Sequence, residues 1–376
     1  MWRRVEPPPF FLGGGGVVEG AANGHQGGAK VKVRVAVVGG TGYTGYELVA
    51  LLQSHPRAEL AMVTSKSYVG QPISGVFPAL RRVCSLVCEA LEVERLVERA
   101  DVIFVALPHK QSMEIVPDLI QAGKKVVDLS ADFRFRNVAV YEEWYQPHTA
   151  RDLLNEAVYG LPELYREKIR NARLIGNPGC YPTGVILAAA PLVGHGLVAL
   201  DSLIADCKSG VSGAGRAPTL TTHYCEVNEG LRAYSVGEHR HTPEIEQELS
   251  ALAGRAMRVV FTPHLVPMSR GILTTLYSNL VRETTDAEIR ALCENMYGDA
   301  PCVRMLDKGE LPSTIHVRGT NYCDIGWRLE PRTGRIIVIS AIDNLVRGAA
   351  GQAVANMNLM CGFAEETGLS LRAWQP

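Results

Sequence analysis

The stretch Val33-Arg34-Val35-Ala36-Val37-Val38-Gly39-Gly40-Thr41-Gly42-Tyr43-Thr44-Gly45 joins a β-branched apolar run directly to closely spaced glycines. Such a run is typical of a buried parallel strand. Glycines three apart let the chain turn tightly and approach a pyrophosphate, and the helix that follows offers free N–H groups and the positive end of its dipole. Because this G-x-x-G-x-x-G turn lies between a strand and a helix, it predicts dinucleotide binding. We assign to the cofactor Gly39, Thr41, Gly42, Tyr43, Thr44 and Gly45.

Strands and helices alternate outward from this turn, which is typical of a Rossmann-type, doubly wound parallel α/β sheet. We expect this dinucleotide-binding domain to span residues 31–177. The predicted elements are helix Tyr43–Gln53, strand Glu59–Val63, strand Asp101–Ala106, helix Gln111–Gln121 and strand Lys125–Leu129.

The pattern changes after about residue 178, where longer strands predict an α+β domain with a mixed or antiparallel sheet over residues 178–343. A last helix, about Asn344–Cys361, is expected to return to the first domain within the segment 344–376. The other predicted elements are helices Thr183–Val193, Pro243–Leu252 and Asp286–Met296, and strands Leu203–Cys207, Arg258–Leu265, Ile272–Leu280, Cys323–Leu329 and Arg335–Ser340.

Composition bounds the class of protein. The 376 residues suffice for two domains, and 38 basic against 39 acidic residues give a net charge of −1, so no basic excess indicates a nucleic-acid partner. No apolar stretch is long enough for a membrane span. Nine scattered cysteines indicate reduced thiols and a cytoplasmic location, and Cys84 and Cys88 lack the partners of a zinc site, so we expect no metal. Residues 1–30, rich in proline and glycine, are expected to form a disordered leader.

The end of the second strand bears on the choice of cofactor. NAD sites usually place an acid there to hold the ribose 2′-hydroxyl. Here the chain reads Thr64-Ser65-Lys66-Ser67, with hydroxyls and a cation, which favours NADP(H), although a solvated polar turn would read the same way. The residues assigned to the cofactor outside the glycine turn are Ser65, Lys66, Ser67, Pro108, Ser130 and Asn344.

Gly176-Asn177-Pro178-Gly179-Cys180-Tyr181-Pro182-Thr183-Gly184 places a cysteine where an apolar helix begins. The positive end of a helix dipole favours the thiolate, so we expect a lowered pKa and a nucleophilic sulfur at Cys180. Cys207, inside an apolar strand, fits an inert buried thiol instead.

Two histidines precede another predicted helix start, in Gly237-Glu238-His239-Arg240-His241-Thr242-Pro243-Glu244. A metal pair would need a third ligand, which is not evident nearby, so acid/base chemistry is the better interpretation. We favour His241 over His239 for that role and expect Glu244 to orient the ring.

Three arginines lie beside turn glycines or at a strand end: Arg134, Arg216 and Arg270. Their guanidinium groups can bind oxyanions in a bidentate manner, which suggests a doubly anionic substrate.

With these motifs together, the chain resembles the N-acetyl-gamma-glutamyl-phosphate reductases, relatives of the aspartate-semialdehyde dehydrogenases, over about residues 31–376. The resemblance rests on the glycine turn, the cysteine and double-histidine segments, Ser130-Ala131-Asp132-Phe133-Arg134, Ser212-Gly213-Ala214-Gly215-Arg216 and Ala341-Ile342-Asp343-Asn344-Leu345.

The resemblance implies NADPH as hydride source, Cys180 as the nucleophile that captures an acyl phosphate as a thioester, and His241 as acid/base. It also implies Asn344 near the nicotinamide, Arg134 on the phosphate, and a homodimer or homotetramer. The alternatives are reduction of aspartyl phosphate or of the carrier-protein-linked substrate of lysine synthesis, a redox-sensing NADP-binding regulator without turnover, and a structural Rossmann scaffold.

Overall fold

The computed structural model describes residues 32–369 and 371–373, so the predicted leader lies outside the described residues. Within them, the first sheet has seven strands, all parallel, in the order β3-β2-β1-β4-β5-β7-β6. Its strands are β1 (Val33–Val38), β2 (Ala58–Thr64), β3 (Cys88–Glu89), β4 (Val102–Val105), β5 (Lys125–Asp128), β6 (Val158–Tyr159) and β7 (Leu174–Gly176).

Alternate residues of β1 point to opposite faces of the sheet, as strand geometry requires. Val35 and Val37 join one apolar cluster, and Ala36 and Val38 join another. Both faces of the strand are therefore buried, which explains why its sequence is almost continuously apolar.

The second sheet is mixed, in the order β12-β13-β14-β11-β8-β10-β9, with parallel pairs at β8/β10 and β12/β13. Its strands are β8 (Ile204–Gly210), β9 (Arg232–Ala233), β10 (Val260–Val266), β11 (Ile272–Asn279), β12 (Val303–Met305), β13 (Cys323–Glu330) and β14 (Arg335–Ile342). The predicted fold class, a Rossmann-type parallel sheet plus a second α+β unit, is confirmed.

The α-helices flank both sheets. They are α1 (Tyr43–Gln53), α2 (Ile73–Val76), α3 (Val93–Arg99), α4 (Ser112–Gln121), α5 (Val138–Trp144), α6 (Pro162–Arg170), α7 (Cys180–Gly194), α8 (Tyr224–Val227), α9 (Thr242–Ala253), α10 (Asp286–Tyr297) and α11 (Gly351–Met360). Helix α7 is apolar around its whole circumference because it packs on β11, β14, α9 and α10.

The last helix differs from its prediction. Residues 343–345 form a turn, Val346–Ala350 form a π-helix, and the α-helix begins only at Gly351. Its apolar face packs against the first sheet's core. Among the described residues, no helix is both long and apolar enough to cross a membrane.

Candidate active site

The glycine turn is held tightly against the carboxyl ends of the first sheet's strands. Gly39 has φ of +82°, and a Cβ atom there would lie 2.5 Å from the carbonyl oxygen of Ala106. A Cβ on Gly45 would lie 2.4 Å from the carbonyl oxygen of Gly39. The turn therefore brings backbone N–H groups at the start of α1 close to any ligand in the cleft, as a pyrophosphate needs.

Two cavities meet at the cysteine. We call the part built on the first sheet the first lobe and the part built on the second sheet the second lobe. One cavity, of about 430 Å³, lies along the glycine turn, and the other, of about 570 Å³, is lined mostly by residues of the second lobe. The first brings together predicted site residues from both lobes: Gly42, Tyr43, Thr44, Gly45, Pro108, Arg134, Cys180, Arg216, His241 and Asn344. Both cavities are lined by His109, Cys180, Gly213, Ala214 and His241. A ligand in either cavity can thus reach the same sulfur.

Cys180 lies at a helix start, as the sequence predicted, although α7 begins at Cys180 itself and not at Thr183. Its thiol is not acidic. Burial raises the pKa of the Cys180 thiol to about 11, and this effect outweighs the opposing influence of the Tyr181 N–H and the Arg134 charge. The residue as a whole is partly exposed to solvent, but the groups packed around the sulfur atom exclude water from it. The expectation of a lowered pKa was therefore wrong for the unliganded chain, because desolvation exceeds the helix-dipole effect.

His241 lies against the turn that carries the cysteine: a Cβ on Gly179 would fall 2.5 Å from His241 Nε2. Burial, with the neighbouring His239 and Arg134, holds the pKa of His241 well below its ordinary value. Its buried Nδ1 has no hydrogen-bond partner among the residues that the structure describes. The ring is therefore neutral at pH 7 and is able to accept a proton.

His239 lines only the second cavity of the two. Its Nδ1 accepts the backbone N–H of His241 at 3.1 Å, and its ring packs edge-on against Tyr181, Tyr234 and Phe261. Burial lowers the pKa of His239 to about 4. This ring supports the His241 segment and forms a wall of the second cavity.

Glu244 does not orient a histidine, contrary to the prediction. Its carboxylate accepts hydrogen bonds from the Gly179 backbone N–H and the Tyr159 hydroxyl, both at 2.8 Å, and from Arg134 Nη1 at 3.1 Å. The residue is fully buried in the first turn of α9. It fixes the cysteine turn and the arginine rather than His241.

The three predicted anion-binding arginines occupy different surroundings. Arg134 lines the first cavity from a buried position, and it also donates to the carbonyl oxygens of Asn177 and Leu129. Arg216 reaches the glycine turn, donating to the Thr41 carbonyl oxygen at 2.9 Å. Arg270 lines neither cavity and is paired with carboxylates of both lobes, so its surroundings do not support the predicted substrate contact.

The remaining predicted cofactor residues differ in how close they lie to the first cavity. Asn344 lines the first cavity, with its amide held by the Gly271 N–H and the Ser212 hydroxyl. Ser65 shares a 2.8 Å hydrogen bond with Thr41 beside the turn, whereas Lys66 and Ser67 are exposed beyond β2. Ser130 is buried and donates to Asp128, so it supports the loop rather than lining the cavity.

The sequence interpretation missed His109, which lines both cavities. Its signal was a Pro-His pair directly after a buried strand, where open α/β sheets bind ligands, but only Pro108 was assigned.

Two lobes of this kind, with a cysteine between them, define a semialdehyde-dehydrogenase type of protein. Residues 34–172 match the family "Semialdehyde dehydrogenase, NAD binding domain", and residues 180–344 match "Semialdehyde dehydrogenase, dimerisation domain". Aspartate-semialdehyde dehydrogenase II of Vibrio cholerae shares the fold, with a TM-score of 0.68 and 17% identity over 88% of this chain and 98% of its own. The aspartate-semialdehyde dehydrogenase of Candida albicans with NADP also shares the fold. Its TM-score is 0.66, with 16% identity over 89% of this chain and 99% of its own.

Closer relatives narrow the family. The N-acetyl-gamma-glutamyl-phosphate reductase of Syntrophobacter fumaroxidans is 61% identical over 92% of this chain and 100% of its own length. The reductase of Desulfotalea psychrophila is 57% identical over 90% of this chain and 98% of its own length. That of Geobacter sulfurreducens is 54% identical over 92% of this chain and 100% of its own length. The chain belongs to the N-acetyl-gamma-glutamyl-phosphate reductase family, as its sequence motifs predicted.

Proposed function

We propose that this chain reduces N-acetyl-L-glutamyl 5-phosphate to N-acetyl-L-glutamate 5-semialdehyde and phosphate with NADPH, in arginine biosynthesis. The observation that carries the proposal is that Cys180 borders both cavities, one along the dinucleotide turn and one in the second lobe. Relatives at 54–61% identity that are named for this substrate support its identity.

The first cavity suits a dinucleotide because Gly39 and Gly45 leave no room for a Cβ atom against the neighbouring backbone, so the chain turns tightly from β1 into α1 beside the cavity. The N-terminus of α1 would hold the pyrophosphate, and Asn344 would lie on the nicotinamide side. Ser65 and Lys66, with no acid beside them in the segment 64–67, favour the 2′-phosphate of NADP. When bound, the reduced dinucleotide supplies the hydride.

In the first half-reaction, Cys180 Sγ attacks the acyl carbon and its proton passes to the neutral His241. The bond from that carbon to the phosphate oxygen breaks, and the departing phosphate takes the proton. The thiol is protonated at rest, and His241 Nε2 lies at the cysteine turn as a neutral acceptor. Because burial makes the imidazole a weak base, the proton leaves sulfur as the carbon–sulfur bond forms and not before it.

In the second half-reaction, His241 would relay one proton from solvent to the alkoxide on the former thioester carbon, and its ring would be neutral again afterwards. The carbon–sulfur bond then breaks while the hydroxyl proton returns to sulfur, which releases the aldehyde and restores the thiol. One proton is consumed overall, and the thioester divides one difficult substitution into two easier steps.

The test is NADPH formation at 340 nm from N-acetylglutamate semialdehyde and NADP, with and without inorganic phosphate. We expect strict dependence on phosphate, and a loss of at least 10³-fold in kcat for Cys180→Ser. Cys225→Ser, at an exposed cysteine outside both cavities, is the matched control and should behave as wild type. Turnover without phosphate, or an active Cys180→Ser protein, would overturn the proposal.

The same assay separates the alternatives. A protein that oxidises aspartate semialdehyde with NADP and phosphate, but does not act on the N-acetylated substrate, is an aspartyl-phosphate reductase. A protein that binds NADP without turnover is a regulator. The identity of the relatives places the N-acetylated substrate ahead of both.

We also propose two domains, residues 31–177 with 344–376 and residues 178–343, in a homodimer or homotetramer in the cytoplasm. The match of residues 180–344 to a dimerisation domain supports self-association. Nine cysteines without a disulfide fit a reducing compartment. Light scattering coupled to size exclusion would measure the number of subunits, and a monomer would contradict the assembly.

A further inference from the structure

His109 presents one defined hydrogen-bond donor to the site. Its Nδ1 accepts the backbone N–H of Ala131 at 2.9 Å. Burial, followed by the charges of Arg134, Arg240 and Lys110, lowers the pKa of His109 to about 3. The ring is therefore neutral at pH 7, and because Nδ1 accepts, the single ring proton lies on Nε2.

The loop that carries His109 is held firmly in an unusual conformation. Lys110 has φ of +79°, which costs a non-glycine residue about 1 kcal/mol or more. The buried Asp132 compensates by accepting the Lys110 backbone N–H at 2.8 Å and the Ser112 N–H at 3.1 Å. Tyr145 packs edge-on against the imidazole, with ring centroids 5.5 Å apart. These contacts fix the ring in place before any ligand binds.

The charges with the largest effect on this ring are the cations Arg134, Arg240 and Lys110. Arg134 is buried, whereas Arg240 and Lys110 are exposed. Three cations around a neutral donor attract an anion and disfavour a further cation. A phosphoryl group meets both requirements, since it carries negative charge and accepts hydrogen bonds.

The position relative to Cys180 decides which anion of the substrate binds here. In an acyl phosphate the phosphoryl group is attached through one oxygen to the carbon that the sulfur attacks. It must therefore bind beside Cys180, and His109 lines both cavities that share that sulfur. Arg232, in contrast, lines only the second cavity, where a more distant carboxylate would lie.

We propose that His109 Nε2–H donates a hydrogen bond to the phosphoryl group of the acyl phosphate, within the positive field of Arg134, Arg240 and Lys110. The proposal rests on the proposed function and adds a substrate-binding residue to it. It places the phosphoryl site at the end of β4, away from Arg216 and Arg270.

The test uses the full chain in the phosphate-dependent direction, with inorganic phosphate as the varied probe. His109→Asn removes the donor from the Nε2 position, whereas the longer His109→Gln can place an amide N–H close to it. We expect the KM for phosphate to rise tenfold or more in His109→Asn and to stay within threefold in His109→Gln. The KM for NADP should be unchanged in both variants, because the dinucleotide does not use this donor.

His195→Gln is the matched control, because His195 caps the opposite end of α7, a 15-residue helix, about 22 Å from Cys180 along the helix axis. It should leave every constant unchanged. A KM for phosphate in His109→Asn within twofold of wild type overturns the inference, as does an equal rise in the KM for NADP. If His109→Asn does not fold, Arg240→Gln at an exposed side chain replaces it, and an unchanged KM for phosphate there also overturns it. A wild-type protein without phosphate dependence would instead overturn the proposed function, so the two failures are distinguishable.

Discussion

The carboxylate of Glu244 accepts a hydrogen bond of 2.8 Å from the backbone N–H of Gly179, the residue immediately before the candidate nucleophile. The same carboxylate pairs with Arg134 and accepts the Tyr159 hydroxyl. Gly179 follows β7 and Arg134 follows β5 of the first sheet, whereas Glu244 lies in the first turn of α9. One buried carboxylate thus joins the cysteine turn to Arg134 and connects the two lobes.

Glu244→Gln should therefore destabilise the protein and slow it. The amide keeps the volume but leaves the buried Arg134 without its counter-charge, which costs about 3 kcal/mol. Urea unfolding measures the loss, and kcat should fall because the cysteine turn loses its anchor. Glu246→Gln, two residues along the same helix, is the control: Glu246 pairs with the largely exposed Arg258, so the cost should stay below about 1 kcal/mol. Equal losses in the two variants would contradict the role of Glu244.

The pKa of the cysteine gives a second prediction. With a pKa of about 11, roughly one Cys180 thiol in 10⁴ is ionised at pH 7. Alkylation of the unliganded protein by iodoacetamide should be slow at pH 7 and should accelerate with pH up to about 10. The difference between wild type and Cys180→Ser isolates this residue from the exposed Cys225. If the difference in alkylation rate between the two proteins no longer increased above pH 7, the Cys180 thiol would be acidic, as the sequence suggested.

Those two cases show what the sequence could and could not predict. The strand-turn-helix at residues 33–53 was readable because periodicity and glycine spacing are local, and its strands and helix lie where predicted. The pKa of Cys180 was not readable, because desolvation depends on distant parts of the chain such as Gly348, which only folding brings against this residue. The partner of Glu244 lies 65 residues away in the chain, so its role is equally invisible to local patterns.

The short strands and the last helix also could not be predicted from local sequence patterns. β3 (Cys88–Glu89) and β6 (Val158–Tyr159) contain two residues each, too few for any alternation to show. The run from Val346 has the apolar spacing of an α-helix, yet it is a π-helix up to Ala350. Its Gly348 packs against Cys180, a contact that periodicity does not encode.

That contact gives the third prediction. A Cβ on Gly348 would lie 2.7 Å from the Cβ of Cys180, closer than two carbon atoms can approach. Gly348→Ala should displace the cysteine, lower kcat at least tenfold and destabilise the fold by about 1–3 kcal/mol. Gly194→Ala, at the end of the same helix as Cys180, meets only an ordinary contact of 3.8 Å with Met296 and should be neutral. Full activity of Gly348→Ala would show that the cysteine position tolerates movement.

The cofactor preference gives the fourth prediction. Lys66 is exposed just beyond β2, at the position where NAD enzymes use an acid. Lys66→Asp replaces attraction for a 2′-phosphate by repulsion, so the KM for NADP should rise on the order of tenfold while that for NAD falls or stays unchanged. The measurement is the ratio of kcat/KM for the two dinucleotides, at low and high salt. Lys308→Asp, at an exposed lysine outside both cavities, is the control. An unchanged ratio would indicate that residues 65–67 are only a solvated turn.

The pairing of Arg270 gives the fifth prediction. Its guanidinium lies between Glu47 on α1 and Asp343 after β14, so the arginine connects the two lobes. Arg270→Met should cost about 3 kcal/mol at pH 7, because it leaves nearly buried carboxylates unpaired. Burial already raises the pKa of Glu47, and removing the cation raises it further. The carboxyl group can then be protonated as the pH falls, so the destabilisation relative to wild type should shrink between pH 7 and pH 5.

Glu47→Gln in the same background tests this account, because a neutral amide should recover part of the lost stability at pH 7 and remove the dependence on pH. In all these variants the KM for phosphate should remain within about twofold of wild type, since Arg270 lines neither cavity. A large rise in the KM for phosphate, with no change in the free energy of unfolding in urea, would instead support the predicted contact between Arg270 and the substrate. The physical reason for expecting the structural outcome is that two carboxylates already occupy the guanidinium, and a bound phosphoryl group would have to displace them.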